Sequence, residues 1–205
     1  KDAGAELIDE IPLVSQIEIR KYELLVMRTE FKVGLNAYLA RQAGPAKIGS
    51  LKELIEFNDK NRKLVMPFFG QEQLIASEET DGLDNFQYKQ ALETSHYLTR
   101  DVGIDKAMFD HDLCALVMPT SSAPWSIDLI NGDNRLGGSS CQAAVSGYPS
   151  ITVPMGYLSG LPVGMSFVGK PWNDFFLTGL AYAFEQNFGV RVDPGKASPF
   201  LAGSK

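Results

Sequence analysis

The sequence contains few residues of the kinds that bind soft metals. Its 205 residues include two cysteines and two histidines, namely Cys114, Cys141, His96 and His111. No Cys-x-x-Cys or His-x-x-x-His spacing occurs, and a four-ligand zinc site needs more nitrogen and sulfur donors than these. We therefore expect no metal site and no cofactor. Both cysteines have apolar neighbours in the sequence, which predicts buried, reduced thiols.

Basic charge and long apolar runs are also scarce. Lysine and arginine number 19 against 25 aspartates and glutamates, so the net charge is −6. This balance argues against nucleic acid or an anionic lipid surface as the main partner. The apolar runs are only a few residues long, so we expect no membrane span. A content of 44% apolar and 21% charged residues is that of a globular chain and excludes a disordered or fibrous one.

The chain begins at Lys1 with neither an initiator methionine nor a secretory pattern. At roughly 150 residues per domain, its length corresponds to about 1.4 domains. The length indicates one large domain or a fragment of a larger protein, and such a start raises the question of whether the whole protein is present. Without a secretory pattern the cytoplasm is favoured over secretion, although the sequence leaves the compartment open.

Helical patterns predominate in the first half of the sequence. A short strand is predicted over Ala5–Val14. Apolar residues then recur at three- and four-residue steps in several predicted helices. These helices cover Ser15 to about Ala43, a segment that starts at Ser50, Gln71–Glu79, and Leu83 to about Phe109. Ser50 and Glu53 form an expected capping box, and Gly103 is expected to kink or split the longest helix.

The second half of the sequence is richer in strand patterns. Strands are predicted at Leu113–Met118, Ile151–Met155 and Val163–Val168, the last two joined by a hairpin turn. A short helix is predicted at Ser140–Ser146, and a longer one begins at Asn173 and ends at Gly189. A surface tail follows from Val190. Such interleaving predicts an α/β or α+β fold around a mixed sheet.

A long irregular stretch, Ser121–Gly138, is the most suggestive segment for function. It is polar and aromatic, and it directly follows the carboxyl end of a predicted buried strand, where ligands collect in α/β folds. Trp125 and Asp128 are therefore candidate pocket-lining residues. The Asn131-Gly132 pair is also consistent with ordinary turn chemistry.

Gly137-Gly138-Ser139-Ser140 could be a nucleophile or anion loop. A serine nucleophile needs a base within reach and N–H donors for the oxyanion. The residues that follow instead begin a helix, and Ser139 with Gln142 fits an S-x-x-Q capping box. We favour the structural cap, with pocket lining by Ser139 and Ser140 as the alternative. His96 is expected to be structural, and His111 to cap a helix or lie at the surface.

Several segments resemble a known family. The most specific is Ala143–Gly156, AAVSGYPSITVPMG, which resembles the C-terminal part of amidase signature enzymes. Segments 112–120, 123–128, 160–169 and 181–186 resemble the same part, and 30–39 and 66–72 agree with it upstream. The resemblance extends in order along essentially the whole chain.

This resemblance implies an α/β fold, the C-terminal part of the amidase signature fold, with a mixed β-sheet flanked by helices over residues 1–205. Family members hydrolyse carboxylic amides with a Ser–cis-Ser–Lys triad and a glycine-rich oxyanion loop. Both belong to the N-terminal half of the domain and have no match here. Gly137-Gly138-Ser139-Ser140 resembles the glycine-rich loop only superficially, because Cys141-Gln142 replaces the glycines expected after Ser140. We therefore expect no catalytic residue, a substrate-binding wall at Trp125, Asp128, Ser139 and Ser140, and no activity of the chain alone.

The implied partners are the N-terminal portion of the same polypeptide and a small-molecule amide substrate whose identity the sequence does not give. A non-catalytic binding or scaffold module derived from the fold is the alternative. A nicked enzyme that retains its N-terminal fragment is a third hypothesis. Removal of half of a shared sheet would expose a strand edge and apolar surface, which predicts a homo-oligomer or a sticky chain.

Overall fold

The computed structural model describes residues 4–42 and 48–193. These residues form two compact units, each described by itself: a helical unit (17–95) and a sheet unit (4–16 and 96–193). The helices are α1 (Gln16–Leu39), α2 (Leu51–Lys60), α3 (Arg62–Val65), α4 (Glu72–Glu78), α5 (Phe86–Thr99), a π-helix (Arg100–Ile104), α6 (Asp105–Asp110), α7 (Ser140–Ser146) and α8 (Asp174–Phe188). The strands are β1 (Leu116–Pro119), β2 (Ser150–Leu158) and β3 (Leu161–Val168).

Within the helical unit, polar side chains at the helix ends bond to the backbone of the same helix or of a neighbouring helix. The predicted cap at Ser50 is confirmed, because its Oγ accepts the backbone N–H of Glu53 at 3.2 Å. The Glu53 carboxylate accepts from Gly49 N at 2.6 Å, one residue before the serine that a capping box would use. Asn36 Oδ1 accepts the N–H of Leu51 at 2.7 Å, which connects α1 to the start of α2.

The long helix predicted over 83–109 is divided into α5, the π-helix and α6. Gly103 has non-helical angles, φ −98° and ψ −110°. A Cβ at this position would lie 2.7 Å from the carbonyl oxygen of Leu98. The predicted kink at Gly103 is therefore confirmed, and only glycine fits it without displacing the backbone.

The three described strands form one antiparallel sheet in the order β1-β3-β2. A mixed sheet was expected, so the α/β class is confirmed but the pairing of the described strands differs. β2 and β3 form the predicted hairpin, whose two-residue loop is Ser159-Gly160. These residues have φ values of +50° and +77°, as a type I′ turn requires.

Each face of the sheet has its own apolar core. On one face, Leu116 and Val168 pack with residues of the π-helix, α6 and α7: Ile104, Ala107, Met108 and Ala143. On the other, Val153 and Phe167 pack with Leu177 and Ala181 of α8. Because Phe167 and Val168 are consecutive in β3, the alternation of side chains along a strand places them on opposite faces. The sheet thus lies between two helical layers.

The strand predicted over Ala5–Val14 is wrong. Glu10 has φ +60°, which breaks the extended alternation. Ile11 and Leu13 pack against the first core cluster without forming a strand, and Val14 O accepts a hydrogen bond from the Gln142 side chain at 2.6 Å. The segment is therefore held by packing and by a side chain.

Other boundaries and burials also differ from expectation. β1 begins at Leu116, because Leu113 N still donates to Met108 O at 3.0 Å and closes the end of α6. Cys114 is exposed and Cys141 is half-buried, so the predicted burial of Cys114 is wrong. Ala43, at the predicted end of the first helix, and the tail beyond residue 193 lie outside the described residues.

We expect Gly164→Ala to destabilise the sheet unit. The added Cβ would lie 2.8 Å from Thr120 Oγ1 and 2.9 Å from Thr152 Cγ2, and such overpacking costs about 1–3 kcal/mol. Gly179→Ala is the matched control, because nothing lies within 4 Å of a Cβ there. Alanine in place of glycine in a helix is expected to raise the free energy of unfolding by about 0.5–1 kcal/mol. Urea unfolding measures both, and an unchanged midpoint for Gly164→Ala would contradict the assigned packing.

Candidate functional site

The candidate site is built around Thr120, the residue that follows β1. Its N–H donates to Gly164 O at 2.8 Å, which extends the pairing with β3 by one residue. Its carbonyl oxygen accepts from the backbone N and the side-chain Oγ of Ser139, at 3.0 and 3.2 Å. The chain thus leaves the sheet at Thr120 and returns to it at Ser139.

Three hydroxyl groups connect the strands at the same level. Ser166 Oγ lies 2.9 Å from Thr120 Oγ1 and 3.0 Å from Thr152 Oγ1, and the two threonine oxygens are 3.4 Å apart. Ser166 is buried, whereas Thr152 is exposed. The cluster therefore extends from the buried Ser166 to the surface at Thr152. It lies next to Ser139, where the chain returns to the sheet.

This hydroxyl cluster was missed from the sequence. Thr120 and Ser166 do not pair directly with each other; Met118 is the residue opposite Ser166, and Thr152 pairs with Ser166 from the other side. The alternation of side chains could have placed each hydroxyl on a face. Only the register of three strands brings them together, and the sequence carries no signal for that register.

The capping box predicted for Ser139 and Gln142 is wrong. Ser139 makes no side-chain bond to the start of α7, because its Oγ donates to Thr120 O. Gln142 Nε2 donates instead to Val14 O. Ser139 is buried, and Ser140, the first residue of α7, is exposed. Of the two predicted serines, Ser140 is the one that a ligand can reach.

The loop from 121 to 138 is closed at its base. Ser121 forms an antiparallel bridge with Gly138. Ser122 N and Ser121 Oγ both donate to Gly137 O, at 3.1 and 3.2 Å, and the Gln16 side chain donates to Gly138 O. Trp125, half-buried, lies in the first part of this loop. The closed base fixes where the loop starts and ends.

Asp128 organises the tip of the loop. Its carboxylate accepts from Asn131 N, from Asn131 Nδ2 and from Ile130 N, each at 2.9 Å. These bonds, with the backbone N–H of Asn131 foremost, lower the pKa of Asp128 below its ordinary value of 3.8. Its carbonyl also accepts from Gly132 N at 3.1 Å. Within the described part of the chain these bonds stay inside the turn, so the predicted substrate contacts of Trp125 and Asp128 remain predictions.

The far end of α7 is connected to the π-helix. Arg100 Nε donates to Ser146 O at 2.7 Å, and its guanidinium lies 5.9 Å from the centre of the Tyr148 ring. Tyr148 OH donates to Asp105 Oδ2 at 2.7 Å. Burial, together with this carboxylate, raises the pKa of Tyr148 to about 12. Arg100 and Tyr148 thus hold the helix whose first turn carries Ser140.

The two histidines occupy structural positions. His96 Nε2 lies 3.3 Å from Arg100 Nη2, and the exposed His111 is the C-cap residue of α6, as predicted. Among residues 4–42 and 48–193, no group of three or more His, Cys, Asp or Glu side chains could hold a metal ion. None of the described helices is both long enough and apolar enough to cross a membrane.

Comparison with known proteins extends this picture. No protein-family profile matches the chain. It is 33% identical over 174 residues to a probable amidase of Arabidopsis thaliana, an alignment that covers 84% of this chain and 30% of that protein. The native peptide amidase from Stenotrophomonas maltophilia superposes with a TM-score of 0.80 at 38% identity, covering 87% and 36% of the two chains. An amidase family protein from Bacillus anthracis gives 0.74 at 31% identity, covering 94% and 34%.

These relatives share both sequence and fold with most of the chain. The chain therefore belongs to the amidase signature family, and its α/β fold is part of the amidase signature fold. It spans about a third of the length of the relatives that it matches. The resemblance found in the sequence is confirmed.

We expect the Asp128 carboxylate to titrate below pH 3.8, its ordinary pKa, because folding supplies three N–H donors. Since the folded pKa is lowered, the stabilisation of the turn is fully present above 3.8 and is lost as pH falls through the folded value. Carboxyl ¹³C shifts measured across the acid range report this midpoint. Asn131→Ala, which removes the side-chain donor, should raise it; an equal midpoint in both proteins would refute the assigned hydrogen bonds.

Proposed function

We propose that the chain is the C-terminal portion of an amide hydrolase. In this proposal the complete enzyme converts a carboxylic amide and water to an acid and ammonia or an amine. The chain supplies strands of the sheet and one wall of the substrate pocket. The observation that carries the proposal is the similarity to the Stenotrophomonas maltophilia peptide amidase, which covers 87% of the chain at a TM-score of 0.80.

The groups that carry out the chemistry are assigned to the rest of the parent protein. The family's lysine deprotonates the bridging serine, which activates the nucleophilic serine, and a glycine-rich loop stabilises the oxyanion. Ser139 does not fit the nucleophile, since its hydroxyl donates to the carbonyl of Thr120, which is no general base. Without an activated nucleophile and an oxyanion site the chain alone lacks the largest contributions to the rate.

The wall consists of the first turn of α7 and the loop that precedes it. Ser140 is exposed beside the buried Ser139, and Thr152 is an exposed residue on the neighbouring part of the sheet. Hydroxyl groups both donate and accept, so they suit an amide, which presents a C=O acceptor and N–H donors. The anchors at Thr120 and Arg100 hold this surface rigid, as a binding site requires.

Peptide amides are the substrate class that we propose. The structural relative with 38% identity is named a peptide amidase. The loop from 121 to 138 also exposes Ile127, Leu129 and Ile130, and apolar side chains beside polar groups suit a substrate that carries both. Simple aliphatic amides would use only the polar part of the wall.

A chimera tests the proposal. Residues 1–205 replace the matching segment of the Stenotrophomonas maltophilia peptide amidase, and ammonia release from a peptide amide is measured. We expect the chimera to be active and the isolated chain to be inactive. Ser140→Ala is expected to raise KM severalfold through the loss of one hydrogen bond. Thr178→Ala, which removes a hydroxyl from the exposed surface of α8, serves as the control.

Turnover by the isolated chain would overturn the assignment of the catalytic groups. The proposal would also fail if the chimera folded, as judged by circular dichroism and a cooperative melt, yet released no ammonia. Equal KM values for the Ser140 and Thr178 variants would remove Ser140 from the wall without affecting the family assignment.

A second candidate function is a non-catalytic binding module. One observation favours it: the helical unit contains a cavity of about 390 Å³, a size typical of small-molecule sites. Its lining combines apolar, amide and carboxylate groups from Leu25, Thr29, Ala76, Glu79, Thr80, Asp81, Asn85, Gln87 and Tyr88. Ligand binding at this cavity by the isolated chain, together with an inactive chimera, would favour the module.

We expect the isolated chain to self-associate through β1. Among the described strands β1 lies at an edge of the sheet, and Val117 there is 44% exposed. Val117→Lys should shift the chain toward monomer in size-exclusion chromatography, because lysine on an edge strand opposes pairing. Tyr182→Lys adds the same charge on α8, where the side chain is 62% exposed. If only this control gave monomer, the contact would be on α8 and the edge proposal would be wrong.

A further inference from the structure

The loop tip contains a sequence with its own chemistry. Asn131 is the only asparagine in the chain that is followed by glycine. Both Asn131 and Gly132 are exposed. A glycine imposes no side-chain obstruction, so its backbone nitrogen can approach the carbonyl carbon of the preceding asparagine side chain. The Asn-Gly pair is therefore the position in the chain best suited to intramolecular deamidation.

The reaction has a simple balance. Gly132 N loses its proton and attacks Asn131 Cγ, the N–Cγ bond forms, the Cγ–Nδ2 bond breaks, and the side-chain nitrogen leaves as ammonia. The resulting succinimide takes up one water from the solvent. Opening at one carbonyl gives aspartate, and opening at the other gives isoaspartate. The net change is one water taken up and one ammonia released, with no oxidant or reductant.

Asp128 holds both reacting groups. Its carbonyl accepts the N–H of Gly132 at 3.1 Å, so the attacking nitrogen is engaged. One carboxylate oxygen accepts Asn131 Nδ2 and the other accepts Asn131 N, both at 2.9 Å. Attack requires the N–H of Gly132 to be released and the side-chain amide to rotate. Both movements break hydrogen bonds, one of them to a charged group.

We propose that Asn131 is a site of spontaneous deamidation whose rate is set by Asp128. While the turn is closed, the hydrogen bonds of Asp128 keep the nucleophile and the amide carbon apart. Opening of the turn permits cyclisation. The inference depends only on the geometry of the loop and stands apart from the proposed amidase activity.

The product would change the candidate wall. Conversion of the amide to an acid removes the Nδ2 donor and places a second carboxylate where Nδ2 now lies, 2.9 Å from Asp128 Oδ2. Like charges at this distance repel each other, so the turn opens. Isoaspartate also lengthens the backbone by one methylene. Deamidation would thus displace the exposed apolar residue Ile130, whose N–H bonds to Asp128 within this turn.

Timed incubation at mildly alkaline pH tests the proposal. Peptide mapping by mass spectrometry measures aspartate and isoaspartate at position 131 in the wild type, Asp128→Ala and Asp133→Ala. A synthetic peptide of residues 127–135 gives the rate without the fold. We expect the peptide to react faster than the wild type, and Asp128→Ala to react about tenfold faster, the change expected on loss of a hydrogen bond to a charged group. Asp133→Ala, which removes a neighbouring carboxylate of equal charge, should keep the wild-type rate.

Several results would overturn the proposal. One is a wild-type rate equal to that of the peptide, because the fold would then protect nothing; this comparison does not depend on how any variant folds. Another is an equal acceleration in both aspartate variants, which would indicate a general charge effect. A third is no product at position 131 in the peptide or in any protein over the same period. Asn131→Ser should abolish the mapped product and so confirms its position.

Discussion

The hydrogen bonding of Thr120 is the constraint on which the candidate site depends. All three of its polar groups are engaged, two of them with β3 and the third with the residue that precedes α7. Its N–H bonds to β3, its carbonyl to Ser139, and its hydroxyl to Ser166. A buried polar group without a partner costs free energy comparable to a lost hydrogen bond. The end of the sheet, the return of the loop and the start of α7 are therefore fixed together.

The site also lies where one face of the sheet changes from apolar to hydroxyl side chains. Leu116 and Val168 on this face belong to the apolar core beneath α6 and α7. Further along this face the apolar residues are replaced by hydroxyl residues, namely Ser166 on β3, Thr120 just after β1 and Thr152 on β2. The apolar part provides the stability that holds the helices, and the hydroxyl part faces outward. A binding wall at this boundary gains rigidity from the core without being buried by it.

How much could be predicted from the sequence depended on the range of the interactions. The cap at Ser50, the break at Gly103 and the hairpin turn at Ser159-Gly160 involve residues within a few positions of one another, and all three were predicted. The strand at 5–14 and the cap at Ser139 were predicted wrongly. The strand is interrupted at Glu10, whose φ is +60°, and Val14 O accepts from the Gln142 side chain, 128 residues later in the chain. Ser139 Oγ donates to Thr120 O, 19 residues earlier in the chain. Local patterns carry no information about such a partner.

The same distinction applies to the candidate site residues. Trp125, Asp128, Ser139 and Ser140 could be selected because the irregular loop and its serines are visible in the sequence, and the structure places Ser139 and Ser140 beside the end of β1. The Thr120–Thr152–Ser166 cluster could not, since no single strand contains it. Its hydroxyls come from positions separated by 14 to 46 residues.

The bonding of Asp128 limits the chemistry that this residue can perform. A carboxylate has about four lone-pair positions, and three N–H groups of its own turn occupy some of them. The same bonds lower its pKa, so it remains ionised at neutral pH and cannot serve as a general acid there. It is also a weaker base than an ordinary aspartate.

What remains to Asp128 is the capacity to accept a further hydrogen bond, which an amide N–H of a substrate could donate. Asp128 therefore suits a binding role better than a catalytic one, in agreement with our proposal that the catalytic groups belong to another part of the parent protein.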